Sequence, residues 1–309
     1  MKNGLLSLFV FSLLIMQKCF AVGLDDSVLR APVEVYKDTA ITLQERVSKK
    51  PVYLKFWATW CKPCRDQMPH LQHTYEKYGN EIDIISVNIW INETDNMIES
   101  MKKEFGLTMP IALDKNGVWA QAFNFVGTPY HILIDEEGDI VHKGHNADQD
   151  LDRKVELLAA RSKAELPTLV LQPNDGTLLD ISKGTSDVSV LFFTATWCDW
   201  YLKESRPTMA SACVIAQNTI NTVHERLPKT KLLEIVSRLW TGQKDLNEYI
   251  KKYDIKHSIA IDESNDAFFA LNVKTFPTLI IMKNGKELYR TSTLNSADEI
   301  TKKIEQLSI

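Results

Sequence analysis

Phe56-Trp57-Ala58-Thr59-Trp60-Cys61-Lys62-Pro63-Cys64-Arg65 decides how this chain is read, because part of it occurs twice. Ala58-Thr59-Trp60-Cys61 returns 137 residues later as Ala195-Thr196-Trp197-Cys198. Each copy follows an apolar run, Val52-Tyr53-Leu54-Lys55-Phe56-Trp57 in one and Val188-Ser189-Val190-Leu191-Phe192-Phe193 in the other. Short runs rich in β-branched and aromatic residues read as buried strands. Further on, Ile111-Ala112-Leu113-Asp114 matches Ile259-Ala260-Ile261-Asp262, and Phe125-Val126-Gly127-Thr128-Pro129 matches Val273-Lys274-Thr275-Phe276-Pro277, both at an offset of 148. The chain is therefore an internal repeat. The second copy carries 11 extra residues between Cys198 and Ile259.

Within the first copy the pattern continues outward from the quoted stretch. Met68, Leu71, Tyr75 and Tyr78 recur at helical spacing, with Pro69 expected to kink that helix. A strand at residues 82–89, a helix through Met97, Ile98, Met101 and Phe105, and an antiparallel pair around the Glu136-Glu137-Gly138 turn follow. The second copy repeats the plan and closes on a Lys283-Asn284-Gly285 turn. Each copy opens on a hairpin-like segment, at Val33–Tyr36 and at Leu169–Gln172. Alternating strands and helices followed by an antiparallel pair predict α/β domains, each a mixed sheet flanked by helices. The expected division is 22–159 and 168–309, joined by a polar linker at 160–167.

Composition excludes some function classes. The chain has 309 residues, 44% hydrophobic and 25% charged, with 36 basic against 40 acidic side chains and no basic stripe for nucleic acid. Residues 1–21 stand apart: Lys2, an apolar run from Leu5 to Met16, then Cys19-Phe20-Ala21. That is the pattern of a secretory signal peptide, and the run is shorter than the ~20 residues of a membrane-crossing helix. Export to an oxidising compartment, a bacterial periplasm, is the expectation; an uncleaved membrane tether is the alternative. A lipid-modified Cys19 is disfavoured by the bulky Gln17-Lys18 pair before it. Cleavage removes Lys2 and Lys18 and no acid, taking the net charge from −4 to −6. It leaves Cys61, Cys64, Cys198 and Cys213. Four cysteines are too few to staple a scaffold of this size, so chemistry is their expected use.

A Cys-x-x-Cys where a strand enters a helix has a definite chemistry. Unpaired amides and the partial positive charge of the helix start stabilise a thiolate at Cys61. Cys64 can reach back one turn, and Pro63 occupies a first-turn position where its missing N–H costs little. A static disulfide or half a zinc site is the competing reading. Zinc needs a second ligand pair, and His70, His73, His131, His142 and His145 show no such spacing, so no metal is expected. His70 and His73, one turn apart, read as surface polarity rather than as proton-transfer groups. Asn92-Glu93-Thr94 fits a glycosylation pattern too common to assign.

This constellation resembles the thioredoxin superfamily and its exported TlpA/ResA-like branch. The resemblance rests on residues 56–65, on Pro69 and on Gly127-Thr128-Pro129, and covers most of residues 27–155. It implies two thioredoxin-like domains, with Thr128-Pro129 as a cis-proline loop facing the disulfide and pairing with an extended substrate, and Trp60 and Pro63 supporting the site. It implies no cofactor, protein thiols and disulfides as substrates, a membrane-embedded thiol-transferring donor, and work of the kind done in cytochrome c biogenesis. Two residues depart from the family. Gln67 replaces an acid three residues after the second cysteine, and Lys55 stands where thioredoxins proper bury an acid. The nearest acid in sequence is Asp66.

In the second copy the string reads Trp197-Cys198-Asp199-Trp200-Tyr201, with Tyr201 where a resolving cysteine would stand. Cys213 lies 15 residues beyond Cys198. Along an unbroken helix that is about 22 Å, against the ~7 Å a disulfide tolerates, so no Cys198–Cys213 bond is expected and Cys213 reads as a buried small hydrophobe. Three readings of Cys198 stay open: a relic in a binding domain, a single-thiol site, or a bond to a partner's cysteine. Trp197, Trp200 and Tyr201 would surround it with aromatic surface, unless one of them is core. Pro277 is the counterpart of Pro129.

The leading functional reading is an exported thiol–disulfide oxidoreductase using Cys61 and Cys64, in the reducing direction. A client-binding chaperone or scaffold is the second, and a copper-handling protein the third. The sequence fixes neither client, donor nor oligomeric state.

Overall fold

The computed structural model describes residues 26–309 apart from Ser48, Ala164, Glu165 and Thr177. The expected signal peptide and Cys19 lie outside the described residues. In chain order the first half runs α1 (Asp26–Arg30), β1 (Val33–Val35), β2 (Asp38–Ile41), α2 (Leu43–Val47), β3 (Val52–Trp57), α3 (Lys62–Asp66), α4 (Met68–Tyr78), β4 (Asp83–Asn88), α5 (Asp95–Phe105), β5 (Ile111–Leu113), α6 (Val118–Ala122), β6 (Tyr130–Ile134), β7 (Ile140–Gly144) and α7 (Gln149–Ser162). The second half runs β8 (Val170–Leu171), β9 (Leu179–Asp180), β10 (Ser189–Thr194), α8 (Cys198–Tyr201), α9 (Pro207–Arg226), β11 (Lys231–Ser237), α10 (Gln243–Tyr253), β12 (Ser258–Asp262), α11 (Asp266–Ala270), β13 (Thr278–Lys283), β14 (Lys286–Thr291) and α12 (Ala297–Ser308).

Both halves build the mixed sheet expected of the repeat. The first has the order β2-β1-β5-β4-β3-β6-β7 and the second β12-β11-β10-β13-β14. In each, the strand that ends just before the Trp-Cys pair is central, parallel to the next strand in sequence and antiparallel to the strand after the proline loop. That placement follows from hydrophobicity: all six residues of β3 are buried, as are five of the six in β10. A fully covered strand needs neighbours on both edges and helices on both faces. The result is two thioredoxin-like α/β units.

The copies differ where the sequence offsets differ. The 11 extra residues are taken up mainly by α9, which has 20 residues where α4 has 11. The opening hairpins also diverge. Glu34 and Val35 pair with Leu113 and Ala112, so β1 and β2 extend the first sheet. β8 and β9 instead form a two-stranded sheet of their own. Beside it Asn174 lies along β12: its N–H donates to the Ile259 carbonyl (2.9 Å) and its side-chain oxygen accepts from the Ile259 N–H (3.3 Å).

Neither long helix runs unbroken from its cysteine. The expected kink at Pro69 is a full break, with α3 ending at Asp66 and α4 starting at Met68. In the second unit α8 lasts four residues, and α9 starts afresh at Pro207. This overturns the expectation that Cys198 and Cys213 stay apart. The intervening turn folds the chain back, their Cα atoms are 6.1 Å apart, and the two form a disulfide. The 22 Å separation held only for a continuous helix.

The units meet along a seam. α7 continues to Ser162, so the segment from residue 160 begins as helix rather than as the linker expected there. Leu157 on α7 packs with Leu169 and Ala270, flanked by Leu166, Ile181 and Phe269. Around this apolar contact Arg153 Nε donates to Asp266 (2.7 Å), and Lys274 reaches Asp135 (3.1 Å) and Asp139 (2.5 Å). Among the described residues no helix is long and apolar enough to cross a membrane.

Candidate active site

Cys61 is the N-cap residue of α3, with extended backbone (φ −79°, ψ 101°), and its sulfur accepts the Cys64 N–H at 3.2 Å. The strand-to-helix junction thus places that sulfur against the unpaired amides of the first turn. Pro63 occupies the first turn without sacrificing a hydrogen bond. Cys61 and Cys64 form a disulfide with Cα atoms 5.2 Å apart. The two sulfur-bearing residues differ in access: Cys61 is 5% exposed and Cys64 is fully buried.

The loop carrying Trp60 is tied down by a residue to which the sequence reading gave no role. Glu93 accepts the Thr59 N–H (2.6 Å) and the Thr59 hydroxyl (2.7 Å), and takes a third bond from Asn88 Nδ2 (3.2 Å). Trp60 Nε1 donates to the Ile91 carbonyl at 2.8 Å, while the indole remains 55% exposed beside the disulfide. In the sequence Glu93 belongs to the Asn92-Glu93-Thr94 tripeptide, and nothing in its spacing links it to Thr59. The Thr128–Pro129 bond is cis, and the Pro129 carbonyl accepts from His145 Nδ1 at 2.6 Å.

Beneath the dithiol lies a buried polar layer. Gln67, which ends α3, donates from Nε2 to the His145 carbonyl (3.2 Å) and accepts at Oε1 from His131 Nε2 (3.1 Å). With that nitrogen donating, His131 Nδ1 is left to accept the Tyr53 hydroxyl at 2.7 Å. Lys55 stands opposite His131 in the β3–β6 register. Its side chain is fully buried and its amine has no hydrogen-bond partner. Burial pushes the Lys55 amine down to about 7. Burial, with the Lys55 charge next in importance, pushes His131 down to about 3, and burial raises the Tyr53 phenol. Neutral forms are favoured throughout the layer. The two departures, Gln67 and Lys55, are thus parts of one assembly. Of the helix histidines, His70 bonds Asp152 at 2.7 Å, and His73 is exposed.

The Redoxin family model matches residues 34–157, the unit that holds this site. The thioredoxin-like protein YneN of Bacillus subtilis is 34% identical over 119 residues, covering 38% of this chain and 69% of YneN. The thiol–disulfide oxidoreductase ResA of Halalkalibacterium halodurans is 34% identical over 129 residues, covering 41% of this chain and 72% of that protein. This chain belongs to the ResA-like thiol–disulfide oxidoreductase family. The ResA of Bacillus thuringiensis subsp. konkukian is also 34% identical, with the match spanning 60% of its length and 33% of this chain.

The second unit of this ResA-like protein lies beyond the family match and has a different centre. Cys198 is fully buried and Cys213 nearly so, in one cluster with Ala195 and Trp197. Bonded to Cys213, Cys198 carries no free thiol, against the readings that make it a single-thiol site or join it to a partner's cysteine. Trp197 Nε1 donates to the Leu239 carbonyl (2.7 Å), as Trp60 does to Ile91, yet Trp197 is only 8% exposed. Tyr201, Trp240 and Phe276 pack around it, with ring centroids 6.0, 5.5 and 5.9 Å away. Trp197 is therefore core, while Trp200, Tyr201 and Trp240 are exposed. The Phe276–Pro277 bond is cis, matching Thr128–Pro129. Among the described residues no cluster of metal-ligating side chains is present.

Proposed function

We propose that this chain is an exported disulfide reductase that acts on protein disulfides through Cys61 and Cys64. The carrying observation is the asymmetry of the dithiol: Cys61 caps the helix start and keeps 5% of its surface exposed, and Cys64 is fully enclosed. Reduced Cys61, as thiolate, attacks one substrate sulfur, and the other substrate sulfur leaves as a thiolate that takes a proton from water. Cys64 then attacks the Cys61 sulfur. The Cys61–substrate bond breaks, the Cys61–Cys64 bond forms, and the second substrate thiolate departs. Two electrons pass from the dithiol to the substrate, and a membrane-embedded thiol donor restores them.

In this reading Trp60 and the Thr128-Pro129 loop flank an extended substrate, and Pro63 shapes the ring. Residues 22–159 form the catalytic unit after removal of a signal peptide at 1–21, and residues 168–309 form the companion unit. The family's role in cytochrome c biogenesis makes an oxidised apocytochrome a reasonable client class. Trp200, Tyr201 and Trp240 favour a second, compatible role in which the companion unit holds unfolded client chains through aromatic surface.

Insulin reduction with wild type and Cys61→Ser tests the enzyme reading. Turnover by wild type and none by the variant is expected; equal inactivity with every thiol donor would overturn it. Cys64→Ser should hold the mixed disulfide on Cys61 and so identify the client.

A further inference from the structure

Every catalytic cycle requires Cys64 to lose a proton, and Cys64 is fully buried. The side chain three residues on, Gln67, is an amide that accepts no proton at neutral pH and is already engaged by His131 and His145. The proton must go elsewhere.

Geometry narrows the choice. Tyr53, Lys55 and Trp57 alternate along β3 and so share one face of the sheet. His131, opposite Lys55 on β6, projects from that same face. Its bond to Gln67, whose own N–H reaches the Cys64 carbonyl at 3.2 Å, places this face under α3. Tyr53 is held protonated by burial, and the one imidazole lone pair of His131 accepts the Tyr53 hydroxyl. The Lys55 amine remains, enclosed, without a hydrogen-bond partner, and with a free lone pair when neutral.

We propose that the Lys55 amine takes up the Cys64 proton in the resolution step and returns it when the disulfide is reduced. The inference rests on the oxidoreductase reading above and adds the residue that moves the proton. The step balances without a further reagent. The Cys64 S–H bond breaks, Lys55 becomes an ammonium, and the Cys64 thiolate attacks the Cys61 sulfur and expels the substrate thiolate. The expelled substrate thiolate takes its proton from water, and the Lys55 ammonium keeps the Cys64 proton until the disulfide is reduced again. An ammonium formed beside a new thiolate also stabilises it, since charges of opposite sign attract strongly where water is excluded.

The titratable groups around this face are Tyr53 on β3, His131 on β6, His142 on β7, His145 after it, His70 on α4 and Asp152 on α7. Asp152 is bonded to His70, and Asp150, near His142, to Lys154 at 2.6 Å. Burial holds the Lys55 amine near neutrality, in the range where a proton acceptor is most effective at ordinary pH.

The test follows the reduced full-length protein reacting with dithionitrobenzoate in a single turnover. The first nitrothiobenzoate released reports attack by Cys61, and the second reports displacement by Cys64. Lys55→Met should leave the first release unchanged and slow the second by about 100-fold at neutral pH, with the gap closing as pH rises. In wild type the second release should climb to a plateau with a midpoint near the Lys55 value of about 7. A Lys55→Met protein with the wild-type second rate and pH profile would overturn the proposal. Should that variant fail to fold, a wild-type second release that rises only with an ordinary cysteine titration, around pH 8.5, would overturn it equally. Absence of the first release from wild type would instead defeat the oxidoreductase reading.

Discussion

Cys198 and Cys213 lie on separate helices with their Cα atoms 6.1 Å apart, bonded through sulfur and closed off from solvent. Their sequence separation of 15 makes the bond a brace on the unfolded chain worth about 3 kcal/mol. Cys213→Ser should lower the unfolding free energy by roughly that amount in urea titration without abolishing insulin reduction. With graded reductant, alkylation followed by mass spectrometry should show Cys61 opening first, since Cys61 is the most exposed of the four and sits at a helix start. Simultaneous opening of both pairs would argue against this order.

Glu93 governs the loop before the dithiol. Glu93→Ala removes a charged acceptor from Thr59 and Asn88 and should cost about 2 kcal/mol of stability, read from denaturant midpoints. Insulin turnover should fall with it, because Trp60 follows Thr59 directly. Glu93→Gln keeps an acceptor oxygen and should lose less on both counts.

The buried layer gives stability a definite pH dependence. Burial, then the Lys55 charge, lowers His131 to about 3 in the fold from an ordinary value of 6.5. Between those values the unfolded chain binds the proton first, so the contribution of neutral His131 is full above 6.5 and is lost as pH falls toward 3. Lys55 acts in the same sense between 10.5 and about 7. Asp262, raised by burial to about 6 from 3.8, acts oppositely: the fold binds its proton first, and stability is gained as pH falls through that interval. Urea midpoints measured from pH 6.5 downward should fall more steeply for wild type than for His131→Asn. Parallel curves would count against the assignment.

At the seam, Lys274 is the partner of Asp135 Oδ2, a carboxylate that is fully buried. Asp135 Oδ1 keeps the backbone N–H groups of Glu137 (3.1 Å) and Asp139 (2.8 Å) whatever happens to the lysine. Lys274 is itself partly exposed, so the loss in Lys274→Ala should be modest, about 1 kcal/mol. Faster hydrogen exchange in α11 and β13 should accompany it.

The sequence made the two sheets and the dithiol legible for physical reasons. Val52–Trp57 and Val188–Phe193 are too apolar to be anything but central strands, and a Cys-x-x-Cys after such a strand has little other use. The Cys198–Cys213 bond was hidden because helical periodicity says nothing of a five-residue turn at 202–206, and a continuous helix was the natural reading. Lys55 showed as a departure from family pattern, but its burial and lack of a partner depend on what β6 and α3 place over it. Glu93 was hidden for the same reason: its bonds to Thr59 span 34 positions. Long-range polar contacts leave no periodic trace.

Asn174 covers part of a free sheet edge. The outermost strand of a sheet offers a row of free amides and carbonyls to which another chain can add. In the first unit β1 covers the flank of β5, but β12 has no such neighbour in its sheet. Asn174 fills both hydrogen-bonding positions of Ile259 with its own N–H and side-chain oxygen. One residue thus occupies both outward hydrogen-bonding positions at Ile259, where a further strand would otherwise pair with the β12 edge.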